Sequence, residues 1–242
     1  MDMRFAKLIS DNESQETWIQ AIKNHESKGD VDESTLEEAQ KLVPCEYQDY
    51  LDVFSKSKSE RMLLRKPWDH GIDLKEDFPP KKGRLIPLSV DEQEVEAFLD
   101  DQLSKGYIWP SSSQQTSPVF FVPKKDGKKH MVQDYHYLNE WTIKNNYPLP
   151  LISQLVDKLK GCKLFMKMDL RWGYNNVRIH EGNEWKAAFT MHKGSFEPLV
   201  MYFGLCNSPA TFQKMMNEIF HDMSDVCVVY IDDLMIFTSM DS

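Results

Sequence analysis

Apolar positions change period several times along the 242 residues, and each change marks an element. Residues 1–42 are polar, with sparse apolar positions; Glu16–Lys23 and Ser34–Val43 could each form a turn or two of amphipathic helix. From Ser89 the pattern turns regular. Val95, Phe98, Leu99 and Leu103 recur at three- and four-residue intervals, Glu92 follows Ser89 as a capping partner, and Gly106 marks a stop. PVFFVP at 118–123 predicts a buried strand, joined through the Asp-Gly pair of KKDGKK to a second strand, HMVQDY. Leu149 to Lys160 reads as a helix, with Leu151, Leu155, Val156 and Leu159 on one face and Gly161 just past its end. KLFMKMD at 163–169 is a strand that ends in an aspartate, and 185–190 and 195–203 alternate like paired strands. Ser208 and Pro209 then open a helix whose apolar face is Phe212, Met215, Met216, Ile219 and Phe220. DVCVVYIDDLMIFT at 225–238 places two short apolar runs around a turn that carries Asp232 and Asp233. Helices and strands thus mix without strict alternation, an α+β pattern. The order helix, strand, two strands, helix, hairpin fits a split βαβ arrangement, which would bring the end of the 163–169 strand beside the Asp232 turn.

That juxtaposition matters because adjacent carboxylates repel each other and gain nothing from packing. A solvated hairpin tip accounts for Asp232 and Asp233 alone, since acidic side chains suit turns. Asp169 at a neighbouring strand end favours another reading. Carboxylate oxygens from separate segments can hold hard divalent cations, and two such ions serve an in-line phosphoryl transfer. His70 beside Asp69, in the strand-like run RKPWDHGIDL, could suggest a catalytic pair.

Composition narrows the class. The chain is 41% hydrophobic and has no apolar run long enough to span a bilayer. Its start lacks a signal peptide's apolar stretch, which leads us to expect an intracellular protein. Cys45, Cys162, Cys206 and Cys227 are too scattered for a zinc knuckle or a disulfide framework. Net charge is −9, which sits awkwardly with a polyanion partner. The charge is uneven, however. Residues 121–168 hold nine basic and four acidic side chains, and phosphate affinity follows local lysines and arginines.

Tyr-Ile-Asp-Asp at 230–233, MDLRWGY at 168–174 and FGLCNSPATFQ at 203–213, in this order and spacing, resemble a reverse transcriptase. The likeness is to the gypsy class of long-terminal-repeat retrotransposons, fungal members in particular, and covers roughly 43–242. It implies the fingers and palm of a right-hand polymerase, the palm being a ferredoxin-like split βαβ antiparallel sheet. At Asp69 and His70 it implies a structural strand rather than a catalytic pair. The expected organisation is an acidic linker over 1–42, a lead-in over 43–84, fingers over 85–147 and palm over 148–242. Thumb and ribonuclease H, which follow in relatives, are not in this sequence, and little processive synthesis is expected without them.

The resemblance also implies roles. Asp169 and Asp232 would bind two Mg²⁺ ions, with Mn²⁺ as an alternative. The Leu170 carbonyl would contact metal, and Asp233 would complete the catalytic carboxylates. Lys124 and the residue at His130 would grip the incoming triphosphate, Tyr174 would lie under the sugar and exclude ribose, and Phe203 and Gly204 would line the nucleotide pocket. Asn207, Pro209 and Gln213 would contact template or primer. The implied partners are an RNA template, a DNA primer and deoxynucleoside triphosphates, with no membrane. Relatives carry arginine where this chain has His130 and His136. Arginine is always charged and offers a fork of donors, whereas histidine is mostly neutral at pH 7, so a weakened triphosphate contact is expected. Two further readings stay open: a catalytically inactive remnant of a decayed element, and a metal-dependent phosphohydrolase, which lacks an accompanying water-activating His or Glu.

Overall fold

The structure, a computed structural model, describes residues 45–54, 60–87, 92–123, 129–170 and 172–237. In chain order the helices are α1 (Glu92–Ser104), α2 (His136–Trp141), α3 (Ile152–Leu159) and α4 (Ser208–Ile219). The strands are β1 (Ile108–Pro110), β2 (Ser117–Pro123), β3 (Lys129–Gln133), β4 (Phe165–Asp169), β5 (Phe189–Met191), β6 (Gly194–Pro198), β7 (Cys227–Tyr230) and β8 (Asp233–Phe237). A 3₁₀ segment spans Cys45–Phe54, and 3₁₀ turns cover Gly173–Asn176, Glu184–Ala187 and His221–Met223.

The chain forms two compact units, both discontinuous. The first comprises 1–60, 149–171 and 216–242; the second comprises 61–148 and 172–215. Compactness therefore divides the chain differently from the continuous 85–147 and 148–242 ranges expected from the sequence. The reason is sheet pairing. β5 and β6 join strands of the earlier region instead of β4, β7 and β8.

The first unit holds a three-stranded antiparallel sheet ordered β4-β8-β7. Since β8 lies antiparallel to both neighbours, β4 and β7 run parallel with β8 between them. The chain passes from β4 to β7 by way of α4, so the connectivity is that of a split βαβ unit. Cys162, Val228 and Phe237 form a small buried cluster, and Leu155 and Leu159 of α3 pack on it together with Phe165 and Met235. The helix ends where Gly161 takes a left-handed φ of +80°, as helix C-termini favour. Only part of the α3 apolar face is covered: Leu151, Ile152 and Val156 are exposed.

The second unit holds a five-stranded mixed sheet ordered β1-β6-β5-β2-β3. Its one parallel pairing sets Ser117 opposite Phe189, far apart in sequence; the others are antiparallel. Alternation explains the burial of Phe189 and Met191 on β5 and of Phe196 on β6. Val95 and Leu99, four apart, are the buried apolar residues of α1 among those described. That helix is closed by Gly106, at φ +69°, whose N–H donates to the Leu103 carbonyl (3.0 Å). The expected paired strands over 185–190 and 195–203 are shorter than their alternation suggested, because Glu184–Ala187 turns as 3₁₀ helix and β6 ends at Pro198.

Polar ties brace this unit. Arg65 donates to Asp69 (3.2 Å), to the Ile179 carbonyl (2.9 Å) and to Glu184 (2.9 Å). His70 is buried, and its Nδ1 lies 2.9 Å from Thr211 Oγ1. Desolvation lowers its pKa to about 4, so the ring is neutral. Asp69 accepts instead from the Lys66 amide and Arg65.

Candidate active site

The tip of the β7–β8 hairpin is tight. Tyr230 pairs with Asp233, leaving only Ile231 and Asp232 to make the turn. Ile231 takes a φ of +52°. Two-residue hairpin loops require positive φ at one or both central positions, where glycine or asparagine is favoured. A β-branched residue in that region is an outlier and costs roughly 1–2 kcal/mol. Strain of this kind persists only where surrounding structure holds it, and here buried Cys227, Val228, Val229 and Leu234 anchor both strands.

The register across β8 and β4 brings the third carboxylate-bearing residue to the same place. Asp169 is directly opposite Asp233, and the Leu170 amide donates to the Asp232 carbonyl (3.3 Å). Three aspartates thus occupy adjoining strand ends of one unit. Asp232 is half-buried with its Oδ1 shielded from solvent, while Asp233 is exposed. Lys167 Nζ sits 3.0 Å from Asp233 Oδ1. Both groups are substantially exposed, so this pair contributes about 1 kcal/mol at most. Its effect is to offset one of the crowded negative charges. No sequence motif singles out Lys167; its position two residues before Asp169, hence on the same strand face, is the available signal.

Among the described residues, no three His, Cys, Asp or Glu side chains gather to hold a metal ion. The side chain of Asp169 lies outside the described residues, and backbone register is therefore what bears on the donor set. Asp169, Asp232 and the Leu170 carbonyl bring hard oxygen donors to neighbouring backbone positions, which suits a hard divalent cation.

The remaining expected site residues belong to the second unit. Tyr174 lies in the 3₁₀ turn after Trp172, which is itself left-handed at φ +51°. Its ring meets Phe203 edge-on at 4.6 Å and Phe212 edge-on at 5.3 Å. Tyr174 is only 6% exposed whereas Phe203 is 42% exposed. The aromatic surface that solvent reaches is therefore Phe203, with Tyr174 behind it. Gly204, at φ +98°, follows directly, and its carbonyl accepts from Asn139 Nδ2 (2.7 Å). A side chain there would meet Tyr135 and the Gln133 carbonyl at 3.4–3.5 Å and would be strained by the backbone in any case.

Gln213 has no exposed surface and is part of the interior. Asn207 is likewise buried: its Oδ1 accepts from the Asn145 amide (3.0 Å) and its Nδ2 donates to the Ile143 carbonyl (2.8 Å), tying the start of α4 to the 143–145 loop. Pro209 is half-buried at the second position of α4. Lys124 and the His130 side chain lie outside the described residues; the His130 backbone pairs with Val122 on β2. His136 is exposed, and its Nδ1 lies 2.5 Å from Asp134 Oδ1. That hydrogen bond holds the Asp134 carboxyl below the usual range.

This combination of sheets has counterparts of known structure. The foamy viral protease-reverse transcriptase in complex with RNA/DNA hybrid matches with a TM-score of 0.71 at 22% identity, covering 84% of this chain and 29% of that one. The native prototype foamy virus protease-reverse transcriptase matches with a TM-score of 0.65 at 24% identity, covering 84% and 29%. The fold is thus that of polymerase fingers and palm. A family model described as reverse transcriptase (RNA-dependent DNA polymerase) matches residues 122–242. The transposon Tf2-3 and Tf2-7 polyproteins of Schizosaccharomyces pombe are each 35% identical over 206 residues. The chain belongs to the reverse transcriptase family. Those matches cover 83% of this chain and 15% of each polyprotein, so the chain spans a small part of these relatives.

Proposed function

We propose that the chain is the fingers and palm part of an RNA-directed DNA polymerase from a gypsy-class retrotransposon polyprotein. The reaction is attack of a primer 3′-hydroxyl on the α-phosphorus of a deoxynucleoside triphosphate, directed by an RNA template, with pyrophosphate leaving. The observation that carries this reading is the backbone register that sets Asp169 opposite Asp233 and beside Asp232.

Asp169, Asp232 and the Leu170 carbonyl would hold two Mg²⁺ ions, with Mn²⁺ as an alternative. Bound there, the ions would supply charge neutralisation for the triphosphate and a lowered pKa for the attacking hydroxyl. Lys167, paired with Asp233, offsets one negative charge of the site. Phe203, backed edge-on by Tyr174, offers a flat apolar surface suited to a deoxyribose and unfavourable to a 2′-hydroxyl. Gly204 keeps the backbone open beside it. Lys124 and His130 would meet the triphosphate.

The test is single-nucleotide incorporation on an RNA-templated DNA primer. Asp169→Asn and Asp232→Asn each remove a charge at nearly constant size and should abolish incorporation while leaving the circular dichroism spectrum intact. Incorporation that survives either change at saturating Mg²⁺ would overturn that residue's assignment. His130 motivates the reading of an inactive remnant, since the likeness puts arginine there. In that case His130→Arg should restore a measurable rate, with a nucleotide KM lower than that of the parent.

A further inference from the structure

The segment Pro79–Arg84, PPKKGR, is held to the second unit more firmly than a surface loop requires. The Lys81 amide donates to Gln115 Oε1 (2.9 Å), and Gln115 is itself buried. The Thr116 amide donates to the Lys81 carbonyl (3.0 Å), and the Gly83 amide donates to Thr116 Oγ1 (2.9 Å). Tyr137 Oη donates to the Pro79 carbonyl (2.8 Å), and Lys81 Nζ lies 5.1 Å from the centre of the Tyr137 ring. Gly83 approaches the start of β2 so closely that a Cβ would fall 2.7 Å from the Pro118 nitrogen and 2.8 Å from the Thr116 carbonyl oxygen. Only glycine fits that approach.

The outward side of this strip is cationic. Lys81, Lys82 and Arg84 are exposed. His136, next to Tyr137, is 95% exposed at its side chain. Asp134 Oδ1 accepts from the His136 amide (3.1 Å) and faces the His136 ring, and Arg84 adds to the charge that holds this carboxyl below its usual range. Lys81, Lys82 and Arg84 keep exposed side chains while their backbone is fixed. On a chain with a net charge of −9 this is a local inversion of sign. A preset row of cations meets a polyanion at a lower entropic cost than mobile side chains on a mobile loop.

We propose that the Lys81–Arg84 strip, with His136 at its flank, binds the phosphate backbone of a nucleic acid strand. It makes no use of base edges, so binding there is sequence-independent and salt-dependent. The choice of nucleic acid as the anion rests on the polymerase reading, while the surface itself rests on the anchored geometry.

The probe is a fluorescently labelled primer–template hybrid, with binding to the full chain followed by anisotropy across a salt titration. For Lys82→Ala/Arg84→Ala the slope of log K against log salt should become shallower by about 1.4 to 1.8, two contacts at roughly 0.7–0.9 each. Affinity should fall several-fold at low salt and equally for unrelated sequences. Lys193→Ala, on the β5–β6 turn, should leave both quantities at the parental value. Gly83→Ala should weaken binding without any change of charge, because the strip must lift from β2. An unchanged slope in the double variant, or an equal loss from Lys193→Ala, would overturn the proposal, as would a parent chain that binds no hybrid at low salt. Strip-dependent binding without any nucleotide incorporation would leave the strip standing and sink the catalytic reading instead.

Discussion

The two compact units bury their chains in different ways. Among the described residues, the largest fully buried side chains fall almost entirely in the second unit: Tyr135, Phe189, Phe212, Leu138 and Ile179, with His70, Gln115 and Gln213 as buried polar companions. The first unit contributes Met216 and Leu234 to that set. It has a small cluster at Cys162, Val228 and Phe237, a helix with part of its apolar face uncovered, and a strained turn that bears the carboxylates. One unit is a braced frame that carries the aromatic pair and the basic strip. The other is thin and carries the charged tip. Carboxylates that carry the proposed chemistry would have to reach solvent and substrate, so burial can do little to fix them. Their placement depends on strand register instead.

The comparison breaks most visibly under substitution. The largest effect is expected for Asp232→Asn, with incorporation down by roughly a thousandfold or more if the tip carries the chemistry. Thermal melting should barely move, since Asp232 contributes position rather than core. Equal losses of rate and stability would show that the tip is part of the frame.

Truncating the frame should do the reverse. Phe212→Ala removes a fully buried ring that also backs Tyr174, and should cost about 3–5 kcal/mol in denaturant unfolding. A loss under 1 kcal/mol would mean that the second unit is less tightly packed around Phe212 than its burial indicates.

Acid should weaken the frame through His70. Its pKa is lowered to about 4 in the fold against an ordinary 6.5, so the unfolded chain takes up the proton first. Stability is therefore fully present above pH 6.5 and declines as pH falls toward 4, by about 3 kcal/mol in all. Urea midpoints of the parent should fall over that window more steeply than those of His70→Gln. Parallel curves would remove His70 as the cause.

The smallest effect belongs to the turn. Ile231→Gly relieves left-handed strain of roughly 1–2 kcal/mol but adds the entropy of glycine, roughly 0.5–1 kcal/mol. The net should be a stabilisation of at most about 1.5 kcal/mol, read from the melting temperature. A clear destabilisation would show that the Ile231 side chain packs more than its backbone strains.

Much of this molecule was legible in its sequence, because local chemistry fixes local structure. Periodicity located α1, α3, α4 and the β7–β8 hairpin, and glycines at 106 and 161 marked helix ends through their left-handed φ. The motifs around Asp169 and Asp232 identified the family, since these residues are specified by chemistry rather than by packing. What the sequence left open depends on partners distant along the chain. Alternation over 185–203 signalled strands but not their sheet, and pairing with β2 carried them into the second unit. Helical spacing placed Gln213 on α4 but could not tell that its neighbours would enclose it. The same holds for Tyr174 behind Phe203, for Lys167 beside Asp233, and for Gly83 against Pro118. Period and turn chemistry act over a few residues and are written in order. Burial, register and close backbone approach arise only when segments meet, and tertiary structure alone decides them.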